Sequence, residues 1–155
     1  MTANIIPVAT GEAWIGYGVR SFRSVIGEMI DEAREQLVLT VYVLTNRGLV
    51  NKITEALERG VAVTIYLYDN GGKNPMNDAT RDIFRLQEEF SYLEVNSVKN
   101  RVLHAKIIVA DGRRVLVGSA NLTYNALANN YELGFLVEDP AIASKVLSLV
   151  RKVGE

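Results

Sequence analysis

The chain lacks cysteine altogether and has one histidine, one tryptophan and three prolines in 155 residues. Without cysteine it forms no disulfide, has no thiolate nucleophile and holds no cysteine-ligated zinc or iron–sulfur cluster, which fits a reducing compartment. With no histidine pair and no Asp/Glu run, nothing in the pattern suggests a metal site, and no cofactor is expected. An excess of one charge is also missing. The 17 Lys and Arg residues stand against 18 Asp and Glu, a net charge of −1, which argues against a wholesale electrostatic grip on nucleic acid. No apolar run approaches a bilayer span, and the segment Met1 to Pro7 has neither the basic start nor the long apolar stretch of a secretory signal. A soluble, cytoplasmic protein with no membrane partner is the expectation. Linkers, low-complexity tracts and tandem repeats are absent too, so 155 residues that are 48% hydrophobic suit one domain, residues 1–155, with a substantial core.

What is present is a regular change of period. Phe22, Val25, Ile26, Met29, Ile30 and Ala33 fall at helical spacing behind Ser21 as a cap, and Leu37 to Leu44 then reads as a buried strand. Leu49, Val50, Ile53, Ala56 and Leu57 mark a second helix stopped by Gly60, and Val61 to Tyr68 repeats the buried-strand pattern, completing a βαβ unit. A polar loop, Asp69 to Pro75, leads to a helix over Asp78 to Phe90 and a strand over Tyr92 to Val98. A hairpin of Val102 to Ala110 and Arg113 to Val117 follows, then a loop or short helix from Ser119 to Asn130. Glu132 to Val137 is the last strand, and Asp139-Pro140 caps and opens a final helix. The fold class is α/β, a mixed sheet flanked by helices.

The sole histidine opens the run His104-Ala105-Lys106, followed by Asp111 and by Gly118-Ser119-Ala120-Asn121. Residues two apart on a strand share a face, and Asp111-Gly112 signals a two-residue turn that would pair Ala110 with Arg113, Lys106 with Val117 and His104 with Ser119. Imidazole, ammonium and hydroxyl then meet at one end of one hairpin and can attack, neutralise and hydrogen-bond a phosphate. Lys99, Arg101, Lys106, Arg113 and Arg114 against Asp111 make residues 97–114 cationic, although Arg113 and Arg114 lie at the turn, away from the histidine.

The spacing His104-x-Lys106-(x4)-Asp111-(x6)-Gly118-Ser119-x-Asn121 resembles the HKD signature of the phospholipase D superfamily, and Glu132 stands where that family carries a downstream glutamate. From about residue 20 onward, one motif in a short chain is similar to the superfamily's small bacterial endonucleases rather than its two-motif lipases. The resemblance implies a metal-independent phosphodiesterase, a nuclease acting on DNA or RNA, with a site shared by a homodimer. His104 would attack phosphorus to give a phosphohistidine, and His104 of a second subunit would protonate the leaving oxygen and then activate water. Lys106, Ser119 and Asn121 would hold the phosphate oxygens, and Glu132 would accept the other ring N–H of His104. The catalytic set is His104, Lys106, Asp111 and Glu132.

Other readings stay open at the level of residues. Asp111 has a structural reading, because Asp-Gly is what a tight turn demands, and that reading is favoured. Gly118 suits close backbone approach, while Ser119 and Asn121 also suit capping of the next segment. Asp69-Asn70-Gly71-Gly72-Lys73 follows a buried strand, where α/β proteins place ligand loops, yet lacks P-loop spacing and reads equally as a plain turn. Trp14, Tyr124 and Tyr131 suit packing more than base stacking. A non-cleaving nucleic-acid-binding or assembly module, or a phospholipid phosphodiesterase, are the alternative functions.

Overall fold

A computed structural model describes residues 3–155. The first two residues of the expected 1–155 domain, which also open the segment read for a secretory signal, lie outside the described residues. Among the described residues eight strands form one mixed sheet: β1 (Asn4–Thr10), β2 (Arg20–Ser21), β3 (Gln36–Val41), β4 (Ala62–Tyr68), β5 (Leu93–Val98), β6 (Ile107–Ala110), β7 (Arg114–Gly118) and β8 (Glu132–Glu138). Their order across the sheet is β2-β1-β8-β7-β6-β3-β4-β5. Strands β3, β4 and β5 run parallel, joined by helices α2 (Arg47–Glu58) and α3 (Asp78–Glu89) as βαβ crossovers. Strands β6, β7, β8 and β1 continue it antiparallel.

Each face of the sheet has its own core. Helices α1 (Phe22–Glu32), α2 and α3 and the short α4 (Tyr124–Ala128) bury Phe22, Ile26, Met29, Ile53, Leu57, Ile83 and Ala126 against Leu37, Leu39, Ile65, Leu116 and Leu136. On the other face α5 (Pro140–Val150) covers Val38, Val109 and Val115 with Ala143, Leu147 and Val150. The expected caps form: Ser21 accepts from Ser24 N at 3.1 Å, and Asp139 accepts from Ala141 N at 2.8 Å ahead of Pro140. Among the described residues no helix is long and apolar enough to cross a membrane.

The sheet holds one strand that the sequence pattern does not reveal and corrects one expectation. The first twenty residues carry a full strand: β1 pairs along its whole length with β8, from Asn4 opposite Glu138 to Thr10 opposite Glu132. Pro7 hid it, but β2 reaches only Val8 and Ala9, so Pro7 lies where β1 is an edge and needs no donor. The hairpin register is also shifted by one residue. Asp111 and Gly112 do take left-handed backbone (φ 54° and 63°), and Arg113 N donates to Ala110 O at 3.1 Å, as the two-residue turn requires. Ala110 nevertheless pairs with Arg114 and Ile107 with Val117, leaving Arg113 as an extra residue whose carbonyl accepts from Asp139 N at 2.9 Å. Lys106 therefore stands opposite Gly118, whose N–H donates to Lys106 O at 3.4 Å.

Gly118 and Gly134 face each other across β7 and β8, and the Phe22 ring lies against both. A Cβ on Gly118 would come within 2.8 Å of Gly134 Cα, Leu133 O and Phe22 Cζ. Glycine here serves close approach, as its place in the motif suggested. Gly134→Ala should destabilise the protein by about 2 kcal/mol through overpacking, read by urea denaturation; an unchanged midpoint would contradict this packing.

Candidate active site

The site is built where β6 starts. The Thr40 hydroxyl at the end of β3 donates to Ala105 O at 2.7 Å and accepts from Ile107 N at 2.9 Å. A side chain thus replaces the next rung of the ladder, regular pairing begins at Ile107, and residues 102–106 run outside the sheet rather than in the long strand expected from Val102. That segment carries exposed His104 and half-buried Lys106.

Lys106 Nζ lies 3.1 Å from both His104 ring nitrogens. The two in-plane lone-pair directions of an imidazole diverge, so one ammonium equidistant from both nitrogens makes a charge-to-ring contact rather than one aligned hydrogen bond. Tyr42 supports the pair: its ring stands edge-on to His104 at 4.9 Å between centroids and 60° between planes, and Lys106 Nζ sits 5.3 Å from its centre. Burial pulls the Lys106 ammonium below its ordinary value of 10.5, and the nearby Glu132 carboxylate partly opposes this.

Glu132 does not meet His104. Its carboxylate accepts from Ser119 Oγ at 2.6 Å and from Asn130 Nδ2 at 3.0 Å, so the expected bond to the imidazole is not formed. Ser119 Oγ also accepts from Leu133 N at 3.1 Å, which ties its hydroxyl to the β7–β8 end. Neither Ser119 nor Asn121 caps α4; Thr123 does, accepting from Ala126 N at 3.2 Å. Asn121 Oδ1 is instead buried with no hydrogen-bond partner among the described residues, and Asn121 and Lys106 line the same small cavity. His104, Lys106, Ser119, Asn121 and Glu132 are thus gathered at one end of the β6–β7–β8 sheet.

Asp111 is not. It stands at the opposite end of β6, where its carboxylate accepts from the backbone N–H groups of Arg34, Glu35 and Gln36 at 3.0, 2.8 and 3.0 Å. Burial alone would raise this carboxyl; the Gln36, Glu35 and Arg34 hydrogen bonds and the Arg113 charge outweigh it and hold it below 3.8. The cationic stretch divides likewise. Arg114 is engaged by Glu28, Glu32 and Glu138 far from the histidine, and Lys99 lies 3.7 Å from Asp69. Trp14 and Tyr131 pack on each other at 4.7 Å, both exposed, on the rim rather than in the core.

Sequence reasoning missed Tyr42 and Thr40. The available signal was their place at the C-terminal end of a buried parallel strand, where open α/β sheets build their sites.

The chain resembles known proteins over most of its length. Residues 26–153 match the family described as "Cardiolipin synthase, PLD-like domain". DISARM protein DrmC of Bacillus paralicheniformis is 33% identical over 136 residues, 84% of this chain and 55% of that protein. Cardiolipin synthase A of Serratia proteamaculans is 30% identical over 113 residues, 72% of this chain and 23% of that protein, so the chain spans only part of either relative. Among solved structures, the phospholipase D family member Nuc of Salmonella typhimurium superposes with a TM-score of 0.79 at 20% identity, covering 98% of this chain and 94% of that one.

Because its folded-state carboxyl is depressed, Asp111 contributes stability that is present above the unfolded value and lost as pH falls through the lower folded one. Asp111→Ala, which also places a Cβ residue at positive φ without the three acceptor bonds, should cost about 2 kcal/mol. Denaturation should show that loss shrinking in acid below pH 3.8; a loss that stayed constant down to pH 2 would contradict the assignment.

Proposed function

Because the chain belongs to the phospholipase D superfamily, as a PLD-like domain, we propose that it is a metal-independent phosphodiesterase, a nuclease, working as one domain in a homodimer. The observation that carries this reading is the exposed single imidazole of His104 with an ammonium, Lys106, 3.1 Å from its ring nitrogens. A phosphodiester needs a nucleophile, a proton donor for the leaving oxygen and cations on the non-bridging oxygens.

A nitrogen of His104 forms a bond to phosphorus, the phosphorus–oxygen bond to the leaving group breaks, and that oxygen takes a proton from the imidazolium of His104 in the second copy. Water then adds to phosphorus, gives a proton to that second imidazole, and releases His104 as the phosphorus–nitrogen bond breaks. Lys106 neutralises the non-bridging oxygens, and Asn121, whose Oδ1 has no partner among the described residues, would turn its amide so that the nitrogen donates toward them. Glu132 holds Ser119 in place and lends negative charge near Lys106.

The 155 residues hold one histidine, and in this reading the acid comes from a second copy. The sheet supports such an arrangement. On the face that α5 covers over Val115 and Val137, the same strands continue to Val117, Leu133 and Phe135, which are 42%, 51% and 44% exposed. This uncovered apolar face adjoins Ser119 and Glu132, and an isologous contact across it would bring two copies of the motif together.

The 30% identity to cardiolipin synthase A favours a rival reading, a phospholipid phosphodiesterase. Hydrolysis of single-stranded DNA, duplex DNA, RNA and phosphatidylcholine vesicles in EDTA decides between them. We expect nucleic acid to be cut in the chelator, and His104→Ala to lose about 1,000-fold or more. Cleavage of vesicles alone would establish the lipid reading, and binding without any turnover a non-cleaving module.

Two further outcomes follow. Mixing wild-type protomers with an excess of His104→Ala protomers should depress the activity of each wild-type chain, and undiminished activity would exclude the shared site. The alkaline limb of kcat/KM should fall below pH 10.5 and move upward in Lys106→Arg, because the depressed ammonium must stay protonated; a limb that does not move would contradict that role.

A further inference from the structure

A second cavity opens beside the candidate catalytic pair. It has a volume of about 570 Å³ and lies at the C-terminal ends of the parallel strands β3, β4 and β5, under the loop from Asp69 to Asn77. Tyr42, which stands against His104, also lines this cavity, and its ring stacks on Tyr68 at 5.4 Å and 19°. The two rings form a continuous aromatic path from the imidazole into the cavity. The loop is built rather than loose: Gly71 N donates to Asp69 Oδ1 at 2.8 Å, and Gly72 N and Lys73 N donate to Asn70 Oδ1 at 3.0 and 3.1 Å. Gly71 and Gly72 supply the positive φ values of 74° and 81° that this path requires.

The walls are mixed. Tyr68, Leu67, Met76 and Phe84 offer apolar and aromatic surface, Asn74 and Ser97 bring an amide and a hydroxyl to the same space, and Asp69 and Lys99, 3.7 Å apart, also line it. An acyl chain would gain nothing from the polar wall. A flat ring with apolar faces and a hydrogen-bonding edge uses both walls, and the volume falls in the range of about 300–1,000 Å³ usual for small-molecule sites. In a nucleotide the sugar sets such a ring to one side of the phosphate, as this cavity is set to one side of His104.

We propose that this cavity is a subsite for one unstacked nucleobase next to the scissile phosphate, which makes single-stranded or locally opened nucleic acid the substrate. The proposal rests on the nuclease reading and deepens it. A base held in a duplex stack cannot enter the pocket, and aromatic stacking with little edge selectivity gives tolerance of sequence.

The test uses DNA single strands carrying one abasic nucleotide. Wild type should cut the bonds flanking the abasic position at least about 10-fold more slowly than the same bonds in the intact strand, the loss of one base–aromatic stack. Tyr68→Leu should slow the intact strand to that level and leave the abasic bonds unchanged, while Tyr68→Phe should behave as wild type. If Tyr68 only props Tyr42 against His104, Tyr68→Leu slows both strands alike, and the subsite is overturned with the nuclease reading intact. A single strand carrying 2-aminopurine supplies a second readout, with His104→Ala protein so that nothing is cleaved. Quenching on binding that disappears in His104→Ala/Tyr68→Leu supports the subsite whether or not wild type turns over, and equal quenching in both overturns it. Binding of neither strand by either protein overturns the subsite and the nuclease reading together. Should Tyr68→Leu fail to fold, Asn74→Ala and Met76→Ala, both on the loop, replace it with the same expected pattern.

Discussion

A single hydroxyl sets the geometry on which the site depends. Thr40 Oγ1 bonds both Ala105 O and Ile107 N, ending the β3–β6 ladder one rung early and turning residues 102–106 out of the sheet. At its other end β6 is fastened by Asp111, whose carboxylate gathers three backbone N–H groups at the start of β3. A four-residue strand secured at both ends cannot slide, and the position of Lys106 relative to His104 follows from that. Beneath it, the Gly118–Gly134 contact lets Phe22 pack directly under the site, so the polar cluster rests on a close-packed floor.

For the proposed reaction, one copy of the cluster supplies only part of the chemistry. It supplies one imidazole, one ammonium, a buried amide oxygen without a partner among the described residues and a carboxylate already engaged by Ser119 and Asn130. Near-neutral net charge means that recognition of a polyanion would rest on local groups. Arg114 is engaged by Glu28, Glu32 and Glu138 at the far end of the hairpin. Lys106, the aromatic step from Tyr42 to Tyr68 and the polar loop beyond it lie beside His104.

Much of the architecture was legible because long periodic segments carry strong signals. The helices capped by Ser21 and Asp139 and the βαβ unit formed where the apolar periods placed them. The motif spacing located the cluster and led to the superfamily, and the preference for Asp111 as a turn residue agrees with its backbone hydrogen bonds. Three features were not legible. The strand β1 contains Pro7, which argues against a strand unless the edge is known. The one-residue register shift arises from Arg113, whose carbonyl is engaged by a residue 26 positions further along, a tertiary contact that turn chemistry alone cannot supply. Glu132 chose Ser119 and Asn130 over His104 because hydrogen-bond geometry, unlike spacing, depends on side-chain directions across two strands.

In the proposed reaction His104 becomes covalently bonded to phosphorus. Phosphorus–nitrogen bonds of this kind are labile in acid and survive in base, so wild-type protein should be mixed with nucleic acid, quenched in alkali, digested and weighed by mass spectrometry. The account predicts a phosphorylated or nucleotidylated peptide containing His104, on one of the two copies in each pair. Turnover with an unmodified His104 peptide at every quench time, or the adduct on another residue, would contradict it.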